Sequence, residues 1–143
     1  MVPPMRIAIA IAALAFAADA GAAQWKQVRK AAAGELWIDN ASIKRNDGEA
    51  AFDYRIDFPK PQKEAGSASL YRSTVTRAIV RCAARTMRMG PTIAFAGARA
   101  TGKEVGRYPP SPEEARFQPI EAGSSDESLW HHVCSVAQVS PKR

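Results

Sequence analysis

Two adjacent histidines, His131 and His132, stand just ahead of Cys134 in the stretch SSDESLWHHVCSVA. Imidazole and thiolate are donors that zinc and copper accept, and one imidazole beside an apolar shelf such as Trp130 can ligate a haem iron. The spacing is poor for a shared ion. Ligands on one helical face stand three or four residues apart, whereas neighbours on a helix point about 100° apart. The chain has only these two histidines, so a four-coordinate metal would need carboxylates or a second molecule. His131 and His132 are therefore candidate haem or metal ligands, set against a plainer reading. In that reading they face water on a helix whose other side packs on a sheet.

Catalytic patterns are scarce. No serine sits in a G-x-S-x-G arrangement, and AGARATG lacks the strand, loop and helix that a phosphate-binding turn requires. Asp53 and Asp57 alternate with Arg55 along FDYRIDF, which reads as a solvated row of ion pairs. The expectation is a protein that is not an enzyme. A second candidate is basic. Arg77, Arg81 and Arg85, with Arg88 beyond, fall on one side of an extended segment, at a spacing of about 13 Å on a strand. That is too wide to grip one small anion but suits an extended polyanion or an acidic protein surface. The same row could simply be solvated charge that deters edge-to-edge pairing.

The compartment follows from the first residues. Arg6 precedes the uncharged run Ile7 to Ala18, and the small residues of ADAGAA follow, the three-part pattern of a secretory signal peptide. Cleavage after Ala20 or Ala22 suits signal peptidase and leaves residues 24–143 as one domain, with residues 1–23 as the leader. A membrane anchor would need roughly 20 apolar residues, more than this run supplies. No cysteine lies near the cleavage point, so a lipidated membrane anchor is not expected, and the destination is the periplasm or the exterior. Arg6 and Asp19 cancel, so the domain keeps the formal charge of +6. A basic domain favours anionic partners, and nucleic acid is the least accessible of them to an exported protein. The two cysteines, Cys82 and Cys134, pair by default in an oxidising compartment. Their bridge would close a loop of about 50 residues, worth about 4 kcal/mol in the chain-entropy account, and it would withdraw Cys134 from metal ligation.

These residues need elements to hold them. Ala50, Phe52, Tyr54, Ile56 and Phe58 alternate with Ala51, Asp53, Arg55 and Asp57, the period of a strand with one wet face. Asp47-Gly48 predicts a hairpin before it, and Pro59 and Pro61 are expected to stop it. Upstream, Trp25 to Val28 and Leu36-Trp37-Ile38 read as strands. SLYRSTVTRAIVRC fits a long strand, with Leu70, Thr74, Thr76, Ala78, Val80 and Cys82 on one side, although Tyr71, Val75 and Ile79 also suit a helix. Arg72 sits awkwardly on the apolar side. TIAF and KEVGRY give two short strands around Thr101-Gly102, PPSPEEA a connector and RFQPI an extended piece. Ser124 and Glu127 form a capping box opening an amphipathic helix, with Leu129, Val133 and Val136 or Ala137 inward.

Taken in order, Trp25, LWIDNASI, the alternating strand, the serine-led strand ending in Cys82, and SLWHHVC resemble the surface-adhesin protein E family of exported proteobacterial domains. The resemblance spans Trp25 to Cys134 and rests on short motifs: Trp37-Ile38-Asp39, Ser42-Ile43, and the two cysteines with the late helix. It implies an α+β fold, with one antiparallel sheet of about five to six strands and a C-terminal helix tethered to one face by a Cys82–Cys134 disulfide. It also implies a non-enzymatic role, since adhesion to host matrix proteins and haem binding are ascribed to the family's named member, and it leaves room for a homodimer. The function expected is an exported binding domain that meets a protein or anionic polymer through a basic sheet surface. The alternative is a small haem or metal carrier using His131 and His132.

Overall fold

The alternation from Ala50 to Phe58 places a strand at the middle of a sheet, with apolar side chains to one side only. The computed structural model describes residues 22–64 and 67–137 and shows that sheet. Its strands are β1 (Trp25–Ala31), β2 (Gly34–Asp39), β3 (Lys44–Asn46), β4 (Glu49–Lys63), β5 (Leu70–Arg81), β6 (Thr86–Phe95), β7 (Glu104–Tyr108) and β8 (Gln118–Pro119). The path runs β1-β2-β4-β5-β6-β7, with β3 beside β4 and β8 beside β6. All these pairings are antiparallel. Among the described residues one α-helix, α1 (Ser125–Ala137), lies across one face. The fold class is as expected, but the sheet has eight strands rather than five to six. The extra ones, β3 and β8, span three and two residues, too short to show a period. Residues 1–21 of the expected leader and the tail beyond Ala137 lie outside the described residues.

Asp47 and Gly48 take φ of 47° and 78°, both left-handed, as a two-residue hairpin turn demands. Beyond that turn β4 does not stop at its prolines but continues to Lys63. The reason is local. β2 pairs with β4 only as far as Asp57, and the β4–β5 register breaks between Asp57 and Gln62. Pro59 and Pro61 thus fall where no ladder needs their missing N–H groups.

The core lies between the sheet and α1. Ile38, Phe52, Val80, Leu129 and Val133 are fully buried, each worth about 1.5–3 kcal/mol by burial alone. Tyr54 joins them, and burial pushes its hydroxyl pKa up to about 12. Leu129 and Val133 face inward as expected, but Val136 is 42% exposed. It borders Lys26 and Gln27 of the edge strand β1, beyond which no strand lies among the described residues to cover it. The extended reading of Leu70 to Arg81 holds, yet the strand ends at Arg81. Arg85 sits in the following turn with φ of 51°, so it leaves the row begun by Arg77 and Arg81.

Candidate functional site

The helix that carries the histidines is fixed at both ends. Ser124 Oγ accepts the Glu127 N–H at 3.2 Å, and Glu127 Oε1 accepts from the Gly123 N–H at 3.2 Å, a capping box displaced by one residue. The other Glu127 oxygen pairs with Arg85 at 2.7 Å, and the Arg85 guanidinium stands 4.5 Å from the centroid of the Trp130 ring. Trp130 donates its indole N–H to the Cys82 carbonyl at 3.1 Å. Cys82 and Cys134 form the disulfide, joining the end of β5 to the helix.

His131 and His132 diverge, as their adjacency requires. His131 is exposed and borders a cavity of about 380 Å³ beside Trp130 and the disulfide. His132 is half-buried with Nε2 2.7 Å from Asn40 Oδ1, and burial, then the charges of Lys26 and His131, lowers its pKa. Cys134 is oxidised, and among the described residues no three His, Cys, Asp or Glu side chains gather where they could hold a metal ion. The arrangement gives the haem or metal alternative no support. The plain picture of two water-facing histidines also needs correcting, because His132 is a tie between α1 and the turn after β2.

The basic row is not brought together as a unit. Arg77 pairs with Asp53 at 3.3 Å and Arg81 with Glu49 at 3.1 Å, both on the sheet face away from α1. Arg85, in the turn after β5, is engaged by Glu127 and Trp130 of the helix instead. Arg81 also lies 3.7 Å from the Phe117 ring centroid and Arg88 5.4 Å from it. The row read as solvated around Arg55 is only partly so. Asp53 is accessible, but Arg55 is 4% exposed and Asp57 9%. Arg55 donates from Nε and Nη2 to one Asp57 oxygen at 3.2 and 2.9 Å. The rings of Trp25 and Trp37 approach its guanidinium at 4.6 and 5.1 Å and account for its burial.

The short motifs near Trp37 turn out to be structural. Asp39 Oδ1 accepts from the N–H groups of Gln24 and Ala41 at 2.7 and 3.0 Å. Ser42 donates to the Asp39 carbonyl at 2.7 Å and accepts from the Asp53 N–H at 2.8 Å. These bonds lock the β2–β3 corner. Sequence reasoning passed over a cavity at one end of the sheet, where Lys30, Arg72 and Arg99 gather from three distant segments. The only local signal was the misplaced Arg72.

An antiparallel sheet bearing one C-terminal helix on a single face, the two joined by a disulfide, defines a small stapled α+β domain. The family model described as surface-adhesin protein E matches residues 25–135, and the protein belongs to that family. Among solved structures, the chain is similar to protein E of Haemophilus influenzae, with a TM-score of 0.62 and 14% identity over 99% of this chain and 96% of that one. A second structure, protein E from non-typeable Haemophilus influenzae, gives 0.60 and 14% over 97% and 85%. Identities this low speak for the fold alone. A comparison with curated proteins finds no match.

Proposed function

We propose that the protein is an exported, adhesin-like binding domain without catalytic activity, and that it meets a protein partner through the sheet face opposite α1. Membership of the surface-adhesin family supports the general role. The observation that carries the choice of face is its composition. Val75, Ile79 and Ile93 remain half-buried there, beside the ion pairs Asp53–Arg77 and Glu49–Arg81. Apolar area next to charge already matched is what a protein interface offers, with the charges as a rim. An anionic polymer is served less well, because Asp53 and Glu49 offset much of the attraction that Arg77 and Arg81 would exert.

The test is surface plasmon resonance of the purified, exported protein on immobilised matrix protein and on heparin over a salt gradient. Arg77→Ala/Arg81→Ala is expected to weaken capture by the matrix protein about threefold, mainly through a slower on-rate, because it leaves the rim carboxylates Asp53 and Glu49 unmatched. Heparin retention should be weak and abolished by salt. Undiminished capture by that double variant would remove the sheet face from the reading. Heparin binding tighter than the protein interaction would replace the partner class. Export after cleavage behind Ala20 or Ala22 is part of the same proposal, checked by N-terminal sequencing of the secreted form.

A further inference from the structure

At the end of the sheet, the β1–β2 turn, the β4 stretch from Asp57 to Pro59 and the β6–β7 loop enclose a cavity of about 300 Å³. Phe58, Pro59 and alanine side chains wall it, and Lys30, Arg72 and Arg99 reach it from separate segments. Charge there is unbalanced. Glu35, which also lines the cavity, pairs with Lys30 at 3.9 Å, whereas Arg72 donates to nothing more acidic than the Pro59 carbonyl, at 3.2 Å. No carboxylate lies within ion-pair distance of the Arg99 guanidinium among the described residues. Asp57 at the cavity wall is already paired with Arg55.

The loop that presents Arg99 is held in an unusual shape. Arg99 and Ala100 take φ of 59° and 55°, left-handed at two consecutive non-glycine residues. Such backbone persists where the surroundings impose it, and it concentrates at functional sites. The imposing groups are buried side chains. Asp57 Oδ1 accepts the Arg99 N–H at 2.9 Å, while Ser73 Oγ accepts the Ala100 N–H at 2.9 Å and donates to the Gly97 carbonyl at 2.6 Å. Gly34 completes the wall, because a Cβ there would lie 2.9 Å from the Asp57 carbonyl oxygen. The backbone that carries Arg99 is therefore fixed at the rim of a cavity that Arg72 and Lys30 also line, over an apolar floor.

We infer that this cavity is a recognition site for an acidic side chain flanked by an apolar one, in an extended segment of a partner protein. The inference rests on the proposed binding role and gives it a charged anchor distinct from the sheet face. Arginine clusters recognise carboxylates through charge-assisted hydrogen bonds, and the volume suits one or two side chains. A sulfated sugar fits less well, since Phe58, Pro59 and the alanines offer its hydroxyls no side-chain partner.

The experiment is a ¹⁵N NMR titration of the exported protein with N-acetyl-Leu-Glu-Leu-amide, its Gln counterpart and a heparin disaccharide. The Glu peptide is expected to give saturable shifts at the amides of Arg99, Ala100 and Ala32. The Gln peptide should bind about tenfold more weakly, the scale of losing a charge-assisted bond. Arg72→Gln and Arg99→Gln, both at exposed positions, should each weaken the Glu peptide by about tenfold while leaving amides elsewhere unmoved. Arg77→Ala should have no effect. No saturable shift, an equal response to the Gln peptide, or tighter binding of the heparin disaccharide would overturn the inference. The two proposals fail separately. Matrix capture weakened in Arg77→Ala/Arg81→Ala but intact in Arg72→Gln and Arg99→Gln refutes the cavity alone, and the opposite pattern refutes the sheet face alone.

Discussion

Replacing Arg55 by Met tests how the sheet tolerates a buried charge. The wild-type guanidinium is almost fully enclosed by Trp25 and Trp37 and supplies both side-chain hydrogen bonds to Asp57 Oδ2. Without it Asp57 keeps the Arg99 N–H as its remaining donor. Breaking one partner of a buried pair costs about 3–5 kcal/mol, chiefly because the other charge is left uncompensated. A urea m-value of about 2 kcal/mol/M, reasonable for one small domain, converts about 4 kcal/mol into a fall of about 2 M in the midpoint. Asp57→Asn should cost about as much by stranding Arg55 between the two rings. The double variant removes both charges, so it should be more stable than the summed single losses predict, by about 2 kcal/mol or more of coupling. Tryptophan fluorescence during urea unfolding is the assay, with far-UV circular dichroism checking that one transition is followed. Single variants that each lose less than about 1 kcal/mol, or a double variant that is strictly additive, would show the pair to be solvated after all.

Two further outcomes follow from the helix. The disulfide bridges residues 52 apart, so Cys82→Ala/Cys134→Ala should lose about 4 kcal/mol, read as a urea midpoint lower by about 2 M; a change under about 1 kcal/mol would mean that packing alone docks α1. His132 has a pKa lowered from 6.5, first by burial and then by Lys26 and His131, so the unfolded chain takes up the proton first. Stability should then fall as pH drops through about 6.5 towards the depressed folded value, and His132→Gln should flatten that slope in melting temperatures taken from about pH 7.5 to 5. An unchanged slope in the variant would place the titration elsewhere.

What the sequence discloses is what repeats at short range. The alternation in β4, the Asp47-Gly48 turn, the Ser124–Glu127 cap and the pairing of two exported cysteines each follow from residues a few positions apart or from a count. What it conceals depends on neighbours in space. Pro59 and Pro61 look like stops until the β2 ladder is seen to end at Asp57. Arg85 looks like the third member of a row until a left-handed turn swings it to Glu127. The start of β6 was illegible because Gly90 and Pro91 interrupt it where the β5–β6 register shifts, with Gly90 close against the Arg77 carbonyl. Arg55 and Asp57 read as wet because alternation cannot tell that two tryptophans cover Arg55 and the Arg99 loop bonds Asp57, while Asp53 stays accessible. The cavity at the sheet end leaves no local sign but the misplaced Arg72, since its cations come from β1, β5 and the β6–β7 loop.

The register also explains where charge is left over. In the β4–β5 hairpin, Glu49 is opposite Arg81 and Asp53 is opposite Arg77, so cross-strand pairing neutralises the middle of the sheet as the hairpin closes. That arrangement suits an exposed sheet, because unmatched charge along one face would have to be desolvated without a partner when an uncharged protein surface docked on it. Arg72 escapes the pattern because it lies where the β4–β5 register is broken, and Arg99 because it lies in a loop. Positive charge without a carboxylate partner is thereby displaced from the face to one end, next to an apolar cavity and on backbone that buried Asp57 and Ser73 hold in place. A partner that used both regions would read apolar shape on the face and a carboxylate at the end. Removing Asp57 should then weaken recognition at the end through the displaced Arg99 loop, even though Asp57 itself carries the sign that repels the ligand.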